Sequence, residues 1–280
     1  MSTSPFKPTE IHAALNGRFT LGPELRVGGQ GVVYRATRVC DAGGAACSDE
    51  VALKLHLDSR QDERVEREIR AMKNLRHPAL ARLLEEGIVT LSGLQTHYVA
   101  WEFIDGHPLD AKLSNGCLNE QEVLRIARDV TSAIEVLWSQ HIVHRDITPK
   151  NIMVRSDGTA VLIDLGGARH LDNSTITALG ATFGTLGYFS PEQFRAERAI
   201  TCASDIFTLA VVLLECLLGH HPTNHDQLQL ASAPPSVDVL VPGVSKEFRE
   251  TLTKMLQLRA PFRPSITQLR TILERLVNVR

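Results

Sequence analysis

The sequence lacks the features that mark several common classes of protein. Lysine and arginine form no block, and the formal net charge is only -2 at pH 7, so the charge gives no indication of a nucleic-acid partner or an anionic membrane surface. The most apolar run, residues 206–219, is too short to span a bilayer and contains Glu215. This run therefore predicts a buried helix.

Cysteine is also scarce, with five residues and no C-x-x-C pair. An odd number without such a pair argues against a disulfide framework and against a zinc site, so buried free thiols are expected. Cys40 and Cys47 flank a stretch of small residues that would let them meet, although a flexible loop between strands is the favoured interpretation. The first residues contain no apolar segment of the kind that a secretory signal needs. We therefore expect a cytoplasmic protein with no membrane segment.

What the chain does contain is enough apolar sequence for a large core, in two different patterns. Hydrophobic residues make up 43% of its 280 residues. Between residues 19 and 94, short apolar or alternating runs between glycine-rich turns predict mostly strands, with one helix. From about residue 118, apolar residues recur at steps of three and four, which predicts helices. The segment 101–109 between the two regions contains Gly and Pro and would suit a hinge.

The predicted helix over residues 60–75 carries a charged residue on its apolar face. Glu68 lies in the middle of a stripe formed by Val65, Ile69, Met72 and Leu75. An unpaired buried carboxylate costs on the order of several kcal/mol, so a cation is expected to reach it. Lys54, in the apolar strand "VALKLHL", is the candidate partner. The alternative is that Glu68 lies at the edge of the stripe and reaches water.

A glycine-rich stretch, "RVGGQGVVYRA", occupies residues 26–36. Such glycines let backbone amides approach a phosphate, but many similar turns are plain hairpins. The run that follows Gly31 is extended, so the glycines join strand to strand. A dinucleotide-binding fold would need a helix at that point, which argues against it.

Four short stretches in fixed order resemble the signature of eukaryotic-type (Hanks-type) serine/threonine protein kinases. They are "GGQGVVY", "VALK", "HRDITPKN" at 144–151 and "DLG" at 164–166, and "FSPE" at 189–192 stands where that family has A-P-E. The resemblance extends from about residue 19 to about residue 276 and is closest in style to bacterial members. Any one of the charged residues at 144–151 could belong to a solvated polar turn. A solvated polar turn would not explain the order in which they occur.

The resemblance implies an α+β, bilobal protein-kinase fold. The expected N-lobe, over residues 19–104, is small and mainly antiparallel β with one helix, and it follows an N-terminal extension at 1–18. The expected C-lobe, over residues 105–280, is larger and mainly α-helical.

The resemblance also implies an ATP-dependent phosphotransferase and assigns roles within it. Asp146 accepts the proton of the substrate hydroxyl, while Lys54 holds the α- and β-phosphates of ATP and pairs with Glu68. Asn151 and Asp164 bind magnesium, with manganese as an alternative. Phosphoryl transfer depends on positioning and charge neutralisation, which explains why one loop gathers so many charged residues.

Further positions follow from the same family pattern. Thr185 would help hold the catalytic loop, and the segment around it indicates serine/threonine rather than tyrosine specificity. The residues expected to contact the nucleotide are Gly28, Gly29, Gly31, Val33, Ala52, Lys54, Glu102 and Met153. Its apolar members, Val33, Ala52 and Met153, could instead simply belong to the hydrophobic core. Glu192 with Arg263 resembles a buried ion pair that anchors the activation segment, and Asp205 resembles a brace of the catalytic loop.

Three positions depart from the family pattern. Arg26 replaces the first glycine of the loop, and Trp101 stands at the gatekeeper position behind the adenine. Thr148 occupies the place two residues after Asp146 where serine/threonine kinases usually carry a lysine. The loss of that charge-assisted hydrogen bond is expected to slow transfer without abolishing it.

The segment before Thr185 offers hydroxyl groups for autophosphorylation. Thr175 and Thr177 have about the spacing at which bacterial relatives are modified, and Thr182 is less favoured. Arg145, beside Asp146, would pair with the added phosphate. A homodimer for this reaction is left open, and small polar residues populating a loop are the alternative interpretation.

Two other functions stay open at this point. A pseudokinase scaffold would bind partners without transfer, although such chains commonly lose Lys54, Asp146 or Asp164. A small-molecule phosphotransferase on a similar scaffold usually lacks the "GTLGY" to "SPE" segment that this chain has. The favoured partner is therefore a protein substrate, with no nucleic acid and no membrane.

Overall fold

A computed structural model describes residues 5–28, 31–39, 48–56, 73, 75–164, 169–170, 185–197 and 200–278. The chain divides into two compact units. Unit 1 consists of Met1–Arg76 and Ala81–Ile104, and unit 2 consists of His77–Leu80 and Asp105–Arg280. Within the residues given above, no helix combines the length and the apolar composition needed to cross a membrane.

Unit 1 is built on a five-stranded antiparallel sheet with the strand order β1-β2-β3-β5-β4. The strands are β1 (Phe19–Gly28), β2 (Gly31–Val39), β3 (Ser48–His56), β4 (Leu83–Leu91) and β5 (Leu94–Glu102). This sheet confirms the mainly antiparallel N-lobe. Most of the helix predicted over residues 60–75, Glu68 included, lies outside the described residues.

A short helix before the first strand contributes to the core of unit 1. In α1 (Pro8–Ala14) and the turn after it, Ile11 and Leu15 are completely buried in the same apolar cluster as residues of the sheet. The carboxylate of Glu10 accepts hydrogen bonds from the backbone N–H and the hydroxyl of Ser92 in the β4–β5 turn. Residues 8–15, which precede Phe19, are therefore part of the folded unit.

Unit 2 is mainly helical, which confirms the expected C-lobe. Its helices are α2 (Leu109–Leu113), α3 (Glu120–Ser139), α4 (Pro191–Phe194), α5 (Cys202–Leu218), α6 (Gln227–Ser232), α7 (Val237–Leu240), α8 (Lys246–Met255) and α9 (Ile266–Asn278). Its short strands are β6 (His107–Pro108), β7 (Ile142–Val143), β8 (Ile152–Val154), β9 (Ala160–Leu162) and β10 (Arg169–His170). Strands β6, β8 and β9 form one small sheet, and β7 pairs with β10.

Helix α3 begins with a capping box. The Asn119 side chain accepts the N–H of Glu122 at 3.0 Å, and the Glu122 carboxylate accepts the N–H of Asn119 at 3.1 Å. The predicted apolar face of this helix is confirmed, because all of its members are buried: Val123, Ile126, Ala127, Val130, Ala133, Ile134 and Leu137.

Helix α5 confirms the buried helix that the apolar run predicts, and it begins four residues earlier. It is apolar almost all round, so nearly every side chain is buried. The helix begins after Thr201, whose hydroxyl accepts the N–H of Ala203, and it ends at Gly219, where a φ of 79° favours glycine.

The cysteines follow the expectation only in part. Cys202 and Cys216 are buried free thiols, as predicted, and burial raises the pKa of Cys202 to about 12. Cys117 is exposed, so the prediction is wrong there, because it lies in the polar turn between α2 and α3. Cys40 and Cys47 are outside the described residues.

One buried ion pair joins distant parts of unit 2. The Arg263 guanidinium binds Glu192 through two contacts of 2.6 and 2.9 Å, and the two side chains are 0% and 5% exposed. The Ser204 hydroxyl donates to the same carboxylate at 2.6 Å. Burial alone would raise the pKa of Glu192, but Arg263 and Ser204 outweigh it and lower the pKa. The resulting stabilisation is present above the ordinary carboxyl pKa and is lost as the pH falls through the lowered one.

Breaking this pair is expected to destabilise unit 2 strongly. Arg263→Ala leaves an uncompensated buried carboxylate, so the free energy of unfolding should fall by about 3–5 kcal/mol in urea denaturation. Arg270→Ala is the matched control, because Arg270 pairs with Glu135 at 3.1 Å but is 42% exposed, and it should cost only about 0–1 kcal/mol. Equal losses in the two variants would contradict the assignment.

Candidate active site

The glycine stretch forms the end of the β1–β2 hairpin in unit 1. Gly28 pairs with Gly31 across the hairpin, so the glycines join strand to strand as predicted. A Cβ atom on Gly31 would lie 2.4 Å from the carbonyl oxygen of Leu55, which excludes any other residue without a shift of β3. Gly29 is outside the described residues.

Several predicted nucleotide contacts share one face of the sheet. Val33 is directly opposite Lys54, and Ala52 is directly opposite Trp101, so these four side chains lie on the same side of the sheet. The alternate residues of β2 and β3 belong to the apolar core on the other side. Lys54 is only 5% exposed. Glu102 ends β5, with its carboxylate 4.0 Å from Nε of Arg82.

The expected partner of Lys54 stays a prediction, because Glu68 lies outside the described residues. The same holds for the candidate phosphorylation sites Thr175, Thr177 and Thr182. Met153, the remaining predicted nucleotide contact, is half-buried on β8 of unit 2.

In unit 2, the loop that follows β7 is held by a carboxylate from helix α5. Asp205 accepts the backbone N–H of His144 at 2.8 Å and that of Arg145 at 2.9 Å. Arg145 is in the left-handed region with a φ of 68°. Complete burial raises the pKa of Asp205, although His144 and the two N–H groups act in the opposite direction. The brace expected from Asp205 is therefore present.

The buried ring of His144 connects the two halves of the candidate site in unit 2. Its Nδ1 accepts the N–H of Asp146 at 3.3 Å, and its Nε2 lies 3.3 Å from the carbonyl oxygen of Ile163. Both contacts are satisfied at once by the neutral tautomer that carries the proton on Nε2. The ring thus ties the residue before Asp164 to the loop that carries Asp146.

The carboxylate of Asp146 is oriented by three hydrogen bonds. Its Oδ1 accepts the backbone N–H and the hydroxyl of Thr185, both at 2.8 Å. Its Oδ2 accepts Nδ2 of Asn151 at 2.9 Å, and the same nitrogen donates to the Asp146 carbonyl oxygen. Asp146 is therefore in direct contact with Asn151 and with Thr185, and the sequence predicts all three as functional.

Asn151 and Asp164 carry the oxygen atoms that a magnesium ion prefers. The N–H of Ile163 donates to the Asn151 carbonyl oxygen at 2.9 Å, so the chain reaches Asp164 directly beside Asn151. Asp164 has a φ of 56°, which aspartate tolerates better than most residues. Among the described residues, no three His, Cys, Asp or Glu side chains form a metal cluster. Magnesium takes one or two protein ligands alongside phosphates and water, which is the number that Asn151 and Asp164 would supply.

Two glutamines around this loop were missed by the sequence analysis. Gln193 Nε2 donates to the Arg145 carbonyl oxygen at 2.9 Å, and the S-x-x-Q capping box with Ser190 could have indicated that it is fixed in place. Gln227 accepts the N–H groups of Gly187 and Phe189 and donates to the carbonyl oxygen of Phe189. No local pattern marks Gln227, because its partners lie about forty residues earlier.

The positions that depart from the family pattern are ordinary parts of the fold. Arg26 lies on β1 opposite Val33. Thr148 is 2% exposed, and its carbonyl oxygen accepts the N–H of Asn151 at 3.0 Å. Trp101 is 8% exposed on β5.

Comparisons with known proteins find bacterial serine/threonine-protein kinases that are similar to this chain. The chain is 32% identical over 251 residues to the serine/threonine-protein kinase PknE of Mycobacterium tuberculosis, which covers 82% of this chain and 44% of that protein. It is 33% identical over 218 residues to the serine/threonine-protein kinase PrkC of Bacillus subtilis, covering 76% and 32%. The chain thus spans less than half the length of these curated relatives.

The family itself is also matched. The protein kinase domain family covers residues 19–272, which is nearly the whole chain and includes every motif that the resemblance uses. The contacts of the loop that carries Asp146, the Asp205 brace and the buried ion pair are all present in the described geometry. The chain belongs to the protein kinase domain family, with the bacterial Hanks-type serine/threonine kinases as its relatives.

Proposed function

We propose that the chain is a protein kinase that transfers the γ-phosphate of ATP to serine and threonine hydroxyls of protein substrates. The observation that carries the proposal is the Asp146 carboxylate, held by Asn151 and Thr185 in the loop braced by Asp205. A carboxylate fixed in this way can orient a substrate hydroxyl and accept its proton.

The remaining residues of the chain have complementary roles in this proposal. The Lys54 ammonium binds the α- and β-phosphates from the sheet of unit 1, and the glycine hairpin presents backbone N–H groups to them. Asn151 and Asp164 would hold magnesium, which when bound neutralises charge on the phosphates. Thr185 keeps one oxygen of Asp146 in place while the other is held by Asn151.

The first test replaces acidic residues without changing their shape. Asp146→Asn cannot accept a proton and Asp164→Asn loses a charged ligand, so each should lower protein phosphorylation by at least about a hundredfold. Incorporation of labelled phosphate from ATP and magnesium into a generic protein substrate, followed by phosphoamino-acid analysis, measures both the rate and the acceptor residue.

Asp157→Asn is the control, because Asp157 is exposed in the turn between β8 and β9 and should leave the rate unchanged. Label on phosphotyrosine would reject the serine/threonine specificity. If wild type labels no protein, the scaffold function is favoured. Turnover that requires an added metabolite would instead indicate a small-molecule phosphotransferase.

A second test restores the lysine that relatives carry after the catalytic aspartate. Thr148→Lys would add a charge-assisted hydrogen bond of about 1.5–3 kcal/mol to the transferred phosphate, so kcat should rise by about ten- to a hundredfold. Thr148→Met controls for the longer side chain and should not raise kcat. An unchanged or lower kcat for Thr148→Lys counts against this role.

We further propose that the enzyme activates itself by autophosphorylation, with Arg145 as the residue that pairs with the new phosphate. Mass spectrometry after incubation with ATP should find phosphate on Thr175 or Thr177. Replacing both by alanine should lower activity, whereas Thr182→Ala should have the smaller effect. Full activity of the double variant would remove this part of the proposal. If the reaction runs between two copies, its specific rate should rise with protein concentration.

A further inference from the structure

The segment from Gly187 to Ser190 is buried without belonging to a helix or a strand. Thr185 and Leu186, which precede it, are exposed. Buried backbone N–H and C=O groups need hydrogen-bond partners, and here no regular secondary structure supplies them. Side chains must therefore bind this stretch of backbone.

Gln227, the first residue of α6, binds three of these backbone groups. Its Oε1 accepts the N–H of Gly187 and the N–H of Phe189, each at 3.0 Å. Its Nε2 donates to the carbonyl oxygen of Phe189 at 2.9 Å. The side chain is 6% exposed, and the opposite orientation of the amide would place NH₂ against two N–H donors. One side chain thus holds both ends of a three-residue stretch.

Tyr188, in the middle of the stretch, is held by side chains from α5 and the turn after it. Its hydroxyl donates to Glu215 at 2.7 Å, and its ring packs against the His221 ring in a T-shaped arrangement with 4.9 Å between centroids. Gly187 has a φ of 100°, and a Cβ atom there would lie 2.9 Å from Nδ1 of His225. Any residue other than glycine would therefore be strained at this position.

This stretch is directly connected to the group that orients Asp146. The N–H of Tyr188 donates to the carbonyl oxygen of Thr185 at 3.1 Å and closes a tight turn. The hydroxyl and N–H of Thr185 are the two donors to Oδ1 of Asp146. A shift of the backbone at Gly187 is therefore passed to Thr185 through one turn.

We propose that Gln227 is a positioning residue for peptide phosphorylation, which fixes the backbone of residues 187–189 and through it the turn that carries Thr185. The inference rests on the proposed kinase function, because its main readout is transfer to a peptide. Among the described contacts, Gln227 does not touch Asp146, so it acts through the segment.

The test compares two glutamines of the same helix. Gln227→Met keeps the size of the side chain and removes all three hydrogen bonds, so the KM for peptide should rise by about ten- to a hundredfold while the KM for ATP changes less than about twofold. Gln229→Met is the control, because Gln229 is exposed on α6 and should leave both constants unchanged. An unchanged KM for peptide in an active Gln227→Met enzyme overturns the proposal.

Hydrogen exchange separates this inference from the proposed function. The amides of Gly187 and Phe189 should exchange faster in Gln227→Met than in wild type, whether or not the protein phosphorylates a peptide. Inactive wild type with faster exchange in the variant would reject the kinase function but retain the conclusion that Gln227 fixes the backbone of residues 187–189. Equal exchange at both amides would reject the positioning role.

Gln227→Glu provides a variant of the same shape with a pH-dependent donor. An ionised carboxylate still accepts both N–H groups but faces the Phe189 carbonyl oxygen without a proton to donate. The ratio of its KM for peptide to that of wild type should therefore fall as the pH is lowered from about 8 to about 6, since burial favours the protonated acid. A pH-independent ratio would reject a donor role for this side chain.

Discussion

The candidate site depends on a single buried carboxylate. Asp205 projects from an almost wholly buried helix and accepts two consecutive backbone N–H groups of the loop before Asp146. Those contacts hold Arg145 in the left-handed region, which turns the chain so that the next residue approaches Thr185. Removing a carboxylate from water is costly, and the cost is offset here only because its hydrogen bonds are made. The position of the loop therefore depends on helix α5.

Asp205 holds the loop, and the side chains of the charged stretch "HRDITPKN" point in different directions from it. His144 points inward and connects to Ile163, while Asn151 turns back to Asp146. Lys150 remains exposed. A polar loop of this kind is stable because its groups satisfy one another before any ligand binds, and preorganisation of that sort is what phosphoryl transfer requires.

Local patterns predicted much of the fold, whereas contacts between distant residues did not follow from them. The stripe of α3, the buried helix α5 and the β1–β2 hairpin could be predicted, since each depends on neighbours a few residues apart. The catalytic and metal-binding roles that we propose come from family resemblance. Gln227 could not be found, because a lone glutamine has no periodicity and acquires its role only from backbone about forty residues away.

The helix before the first strand has a practical consequence for how the protein is produced. The family match begins at Phe19, but Ile11 and Leu15 fill the core beneath the sheet of unit 1. A protein that begins at Phe19 would lack both side chains, so the apolar residues they cover would be exposed to solvent. The free energy of unfolding should fall by about 1.5–3 kcal/mol for each missing side chain. A protein expressed with residues upstream of Pro8 keeps α1, which covers the apolar face of the sheet.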